Sequence, residues 1–204
     1  GWQNQSVVVH EGGHSLGLPH SSGWYGEVYD SFWDTMSYSS GTGVLHDPVY
    51  GPLAEHVNAY GKDRLGWIHP AHTYTMPATP YVASVWLNDL VVVPPAGRYL
   101  QFKFPYPNNP ANWLSAERRR FTRFDGNVPG ESVVLHDVVI SRDVPSQVFD
   151  SDQDGDPNDE GAMWEPGEVL SILTGIPLVM TVEQKDASGT QITFCNAPRD
   201  LVYV

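Results

Sequence analysis

Histidines at positions 10, 14 and 20, with a glycine at 17, restrict the local fold of this chain more than any other feature. Residues four apart share one face of a helix, so Ser6 to Leu16 (SVVVHEGGHSL) predicts a helix that presents His10 and His14 side by side, weakened by Gly12 and Gly13. Gly17 ends that helix, and the reversal it permits brings His20 back toward the pair. Three neutral imidazoles are a ligand set for zinc that leaves a fourth tetrahedral corner open to water. Zinc lowers the pKa of such a water from about 15.7 to about 7, and Glu11, beside the first histidine, is placed to accept its proton.

A second helix is predicted from Pro52 to Leu65, with Leu53, Val57 and Tyr60 on one face and Gly66 as the stop. Beyond His69-Pro70 the pattern changes to short β runs: VASVWL at 82–87, RYLQFKF at 98–104, ESVVLHDVVI at 131–140 and LVMTVEQ at 178–184. Leu100, Phe102 and Phe104 alternate with Tyr99, Gln101 and Lys103, as a half-buried antiparallel strand does. With 19 glycines and 17 prolines in 204 residues, the chain favours many turns and short strands over a helical bundle.

Acidic residues number 24 and basic ones 11, and the formal charge of −13 opposes a nucleic-acid partner. Aliphatic runs such as Leu90–Val93 are far too short to span a membrane. Cys195 has no second cysteine to pair with, and its alternating run from Thr190 predicts burial.

The stretch His10-Glu11-Gly12-Gly13-His14-Ser15-Leu16-Gly17-Leu18-Pro19-His20 resembles the zinc signature of the metzincin clan of metallopeptidases, HExxHxxGxxH, at all five fixed positions. Asp34-Thr35-Met36-Ser37-Tyr38 is similar to the methionine turn of that clan. The resemblance implies Met36 as an apolar floor under the histidines, and Tyr38 as a zinc ligand or a donor to the tetrahedral oxyanion, as in serralysins and astacins. Trp24, Tyr25, Phe32 and Trp33 lie between, either walling a substrate subsite or packing. Lys62-Asp63-Arg64-Leu65-Gly66-Trp67-Ile68 is similar to the closing helix and LGW turn of secreted bacterial peptidases of the immune-inhibitor-A type. Their following β domain has a pattern matched here by Ala116-Glu117-Arg118-Arg119, Phe124-Asp125, Val128-Pro129 and His136, although that type usually carries Asp in place of His20.

The fold expected from this resemblance is α+β. Residues 1–70 form the C-terminal part of a metzincin-like catalytic domain (active-site helix, methionine turn, second helix), and residues 71–204 form a β-sandwich. The clan builds a sheet before its active-site helix, and only nine residues precede His10, so the expectation is a C-terminal piece of a longer enzyme.

Residues 150–160 read DSDQDGDPNDE, a density of carboxylates that repels itself unless a cation or solvent intervenes. With Gly155 at the turn, Asp150, Asp152, Asp154, Asp156 and Asn158 take the alternating ligand positions of a loop resembling the calcium loops of EF-hands and dockerins. Gly161 stands where those loops place their last carboxylate, so Asp159, Glu160 or a more distant group must complete the set of the 150–161 loop. A merely solvated acidic loop is the other reading. Calcium would suit a secreted domain without disulfides.

Arg118, Arg119, Arg120 and Arg123 are read as strand residues paired with Glu117, Asp125 and Glu131 rather than as a polyanion site. His46, His56, His69, His72 and His136 are read as packing or surface histidines, and Trp86, Trp113 and Trp164 as core residues rather than sugar-stacking ones. Together these features predict a secreted zinc-dependent endopeptidase acting on a protein or peptide substrate, with no nucleic-acid partner and no membrane span. Two alternatives remain at this stage: a non-catalytic, calcium-stabilised β-sandwich binding module carrying a vestigial zinc helix, and zinc hydrolysis of a non-peptide ester or amide.

Overall fold

The computed structural model describes residues 5–23, 25, 27–37, 45–77, 79–172 and 178–196. Within them the chain is mixed α+β, mostly sheet, with two α-helices. Helix α1 (Gln5–Ser15) is followed by β1 (Ser21–Ser22), the antiparallel pair β2 (Leu45–Asp47) and β3 (Gly51–Leu53), and α2 (Ala59–Arg64). Then come β4 (Thr73–Thr75), β5 (Val82–Asn88), β6 (Arg98–Tyr99), β7 (Gln101–Tyr106), β8 (Asn109–Arg118), β9 (Val133–Val138), β10 (Ser146–Val148), β11 (Val169–Ile172), β12 (Leu178–Lys185) and β13 (Gly189–Cys195).

Six strands form one sheet in the order β1-β10-β9-β8-β7-β4, and five form another in the order β11-β12-β13-β5-β6. Period-two alternation sends Phe102 and Phe104 of β7, Leu114 and Ala116 of β8, and Val133 and Leu135 of β9 into one apolar cluster. Val85 and Leu87 of β5, Met180 and Val182 of β12, and Ile192 and Phe194 of β13 enter the same cluster from the other sheet. The rings of Phe102 and Phe194 stack across it, 3.8 Å between centroids and 9° between planes. Burying each such ring contributes about 1.5–3 kcal/mol, so this cluster holds the two layers together.

The alternation expected for 98–104 breaks at two points, one of them Gln101, which is fully buried with its Nε2 donating to Ser115 Oγ at 3.0 Å. Leu100 leaves the strand between β6 and β7 and packs with Ala59, Ile68 and Leu90. Cys195 is half-buried rather than buried, because Phe194 takes the inward place at the end of β13.

The second helix is shorter than the sequence predicts. Pro52 lies in β3, and only Ala59–Arg64 is helical, capped by Asn58, whose Oδ1 accepts the Gly61 N–H at 2.9 Å. The segment before it forms no helix, and N–H groups there and at the first helical residue are bound from far away. Ala54 donates to Gln5 Oε1 (2.8 Å), His56 to Asp125 Oδ1 (2.8 Å) and Ala59 to Glu117 Oε2 (2.5 Å). Leu53, Val57 and Tyr60 are buried all the same.

These bonds seat the segment before residue 70 on the six-stranded sheet. Asn58 Nδ2 reaches Ser146 Oγ of β10 at 3.0 Å, and β1 pairs in parallel with β10. At the junction Arg119 is fully buried, donating to Trp33 O (2.5 Å), His56 O (3.2 Å), Glu117 (3.0 Å) and Asp125 (2.8 Å). A charge so far from water is tolerable only with partners on every side, and Arg119 has them. Its neighbours pair as well, Arg118 with Asp89 and Arg120 with Glu131. Among the described residues no helix is long and apolar enough to cross a membrane.

Candidate metal centre

Helix α1 ends as its glycine requires. Gly17 adopts φ +87°, its N–H returns to His14 O at 2.9 Å, and the Leu18 N–H returns to Gly13 O at 3.0 Å. That reversal carries His20 back over the helix. His14 Nε2 then lies 3.2 Å from His10 Nε2 and 3.1 Å from His20 Nε2.

The outer nitrogens explain why these lone pairs face one another. His10 Nδ1 is 2.6 Å from Thr35 O and His14 Nδ1 is 2.9 Å from Leu18 O. A carbonyl only accepts, so both Nδ1 atoms carry a proton, and a neutral ring so bonded presents its Nε2 as a lone pair. Lone pairs held this close repel unless a cation lies between them. Ligands about 2.0–2.1 Å from a tetrahedral zinc stand about 3.3 Å from one another, close to the spacing found here. Burial, followed by His14 and His10, holds His20 below its ordinary pKa, while Glu11 pulls the other way, so the ring favours its neutral, ligating form. The donor set therefore fits zinc in type, protonation state and spacing.

Beneath α1 the turn Asp34–Ser37 plays two parts. Its Thr35 carbonyl orients His10, and Met36, buried, packs with Leu18 and Val57 against Gly13. Asp34 builds the turn: its Oδ1 accepts the Met36 N–H at 2.9 Å and its Oδ2 the Ser21 hydroxyl at 2.8 Å. Complete burial raises the Asp34 pKa against those bonds. Asp34 was not singled out in the sequence, although a carboxylate two residues before the turn's centre is the usual signal for such a bend.

Glu11 is exposed on α1, next to His10. Tyr38 lies outside the described residues, as does Trp24. Of the other aromatics in that segment, Trp33 is fully buried among Val128, Val134, Val148 and Ala162, and Tyr25 is exposed. Among the described residues Tyr29 stands at the site, its ring 6.0 Å from that of His10 and 5.6 Å from that of His20. No sequence pattern marks Tyr29. A separate cavity of about 740 Å³ opens on a different face of α1, lined by Val9, Leu16, Val57, Trp67 and Phe124.

In the acidic loop, Asp150, Asp152 and Asp159 bring their carboxylates together, the second such group of ligating side chains among the described residues. Asp154, Asp156 and Asn158 do not join them. Asp154 and Asp156 accept backbone N–H groups within the loop, and Asn158 is committed to Phe32 N (2.7 Å) and Asp30 O (2.7 Å). Tyr25 donates to Asp150 at 2.6 Å, and Trp33 Nε1 donates to Pro157 O at 2.9 Å. The loop is thus fastened along the segment that leads into the methionine turn. Partial loss of solvent around the hydroxyl, then the bond to the Asp150 carboxylate, push the Tyr25 phenol up to about 12 although the side chain stays exposed.

His46, His56, His69, His72 and His136 belong to no ligating group among the described residues. Trp86 is covered by the Arg98 guanidinium at 4.3 Å and Trp113 by the Lys103 ammonium at 4.9 Å, and Trp164 is buried. No family model, curated protein or solved structure matches the chain.

Proposed function

We propose that this chain is a zinc-dependent endopeptidase with a metzincin-like site, in which His10, His14 and His20 hold the metal. The observation that carries this reading is the convergence of Nε2 atoms at 3.1–3.2 Å with the opposite nitrogens of His10 and His14 tied to backbone carbonyls. Zinc held there would supply Lewis acidity and lower the pKa of a bound water to about 7. Glu11 takes the proton of the attacking water, whose oxygen bonds to the scissile carbonyl carbon, and returns it to the amine nitrogen as the C–N bond breaks. Met36 keeps the floor of the site apolar, and the Thr35 and Leu18 carbonyls keep two imidazoles in the ligating tautomer. The β-sandwich supports the loops of the site, calcium at Asp150, Asp152 and Asp159 stiffens the acidic loop, and the chain works outside the cell.

The test is metal analysis paired with hydrolysis of a fluorescent general protein substrate. One zinc per chain, retained in Glu11→Gln while cleavage disappears, is the expected result. A chain that holds no zinc and cuts nothing overturns the reading and leaves a binding module, whereas hydrolysis retained by Glu11→Gln overturns the role of that carboxylate.

A further inference from the structure

Tyr29 has φ +63°, a left-handed conformation that bulky side chains rarely adopt. Such strain persists only where the surroundings impose it, and it gathers at functional sites. Here the next residue is pinned on two sides: Asp30 Oδ1 accepts the Gly23 N–H at 2.8 Å and Asp30 O accepts Asn158 Nδ2 at 2.7 Å. The acidic loop therefore holds the backbone that aims Tyr29. Its ring stands against His10 and His20, it is 49% exposed, and its hydroxyl makes no hydrogen bond among the described residues. A strained phenol with a free donor at the rim of three imidazoles has no packing role that phenylalanine would not fill.

We propose that Tyr29 donates its hydroxyl hydrogen bond to the carbonyl oxygen of the scissile peptide bond as that carbon becomes tetrahedral, the part that the family resemblance gives to Tyr38. The inference rests on the endopeptidase reading above. It also makes the side of the trio flanked by His10 and His20 the side on which substrate binds.

The experiment compares wild type, Tyr29→Phe, Tyr38→Phe and Tyr29→Gly, using a quenched fluorescent peptide that the wild type cuts and a phosphinic peptide of the same sequence as the tetrahedral mimic. Tyr29→Phe should keep its zinc and its KM, lose on the order of 10²-fold in kcat, and bind the phosphinic peptide more weakly by a similar factor. Tyr29→Gly, which suits the left-handed backbone, should raise the thermal midpoint of the zinc-free chain while losing the same activity. Unchanged kcat and phosphinate affinity in Tyr29→Phe, with the loss appearing in Tyr38→Phe, overturns the proposal and leaves the peptidase reading standing. A lower midpoint in Tyr29→Gly with full activity in Tyr29→Phe makes the residue structural and also overturns it. A wild type without zinc or cleavage overturns both.

Discussion

Gly13 and Met36 occupy a space that admits no further atom: a Cβ on Gly13 would fall well inside the contact distance of Met36 Sδ. The glycine that weakens α1 as a helix is thus what lets the floor of the histidine site close on it. The neighbouring Gly12 has nothing within 4 Å of the same position.

Gly13→Ala should therefore destabilise the chain by about 1–3 kcal/mol through overpacking and weaken zinc retention. Gly12→Ala should stabilise it by about 0.5–1 kcal/mol by helix propensity alone. Urea denaturation of the two variants checks the opposite signs. Equal effects would mean that Met36 does not press on α1.

Stability should also peak in mildly acidic solution. Burial holds Glu55 up to about 8 against an ordinary 4.5, and both its carboxylate oxygens lack a hydrogen-bond partner. A raised carboxyl contributes stability that is full below 4.5 and lost as pH rises through 8. Burial does the reverse to His56 and His136, holding each near 4 against an ordinary 6.5, so their contribution is full above 6.5 and lost as pH falls through 4. Thermal midpoints across pH 4–9 should show both slopes, and Glu55→Gln should flatten the alkaline one. An alkaline slope unchanged in that variant would assign it elsewhere.

Arg119→Lys should cost about 3–5 kcal/mol, because an ammonium cannot serve Trp33 O, His56 O, Glu117 and Asp125 together and leaves buried acceptors unpaired. Denaturant titration measures the loss. A change below 1 kcal/mol would mean that the network tolerates a gap.

Calcium added to the chelated protein should raise the thermal midpoint, with stabilisation of about 2.7 kcal/mol at a concentration 100 times the dissociation constant. Asp152→Asn should abolish most of the response. Gly161→Ala should do the same, since its new Cβ would stand 2.5 Å from Asp150 Oδ1 and 2.7 Å from Asp152 Oδ1. A midpoint indifferent to calcium would make the loop a solvated one.

Local rules made much of this visible in the chain alone. The four-residue histidine spacing, the terminating Gly17 and the alternation of Phe102 and Phe104 each depend on neighbours within a turn or two, and the structure follows them. Other features depend on partners over fifty residues away. Residues 54–58 stay out of the helix while Asp125 claims the N–H of His56 and Glu117 that of Ala59 at the helix start, a demand invisible in the periodicity of Leu53, Val57 and Tyr60. Strand β1 pairs only with β10, and Arg119, expected on a strand, lies just past the end of β8, buried where the segment before residue 70 meets the six-stranded sheet. Within the acidic loop, composition pointed to a cation, but Asn158 was drawn to Phe32 and Asp30 instead.

The fastening of Asn158 and Pro157 onto residues 30–33, with Arg119 under Trp33, bears on how the molecule matures. The histidine trio is complete by His20, yet the turn that orients His10 is not locked until Pro157 and Asn158, over 120 residues beyond it, have been synthesised. A nascent chain thus carries its histidines long before the carbonyl that orients His10 is fixed. If the trio holds zinc as proposed, firm loading waits on the acidic loop.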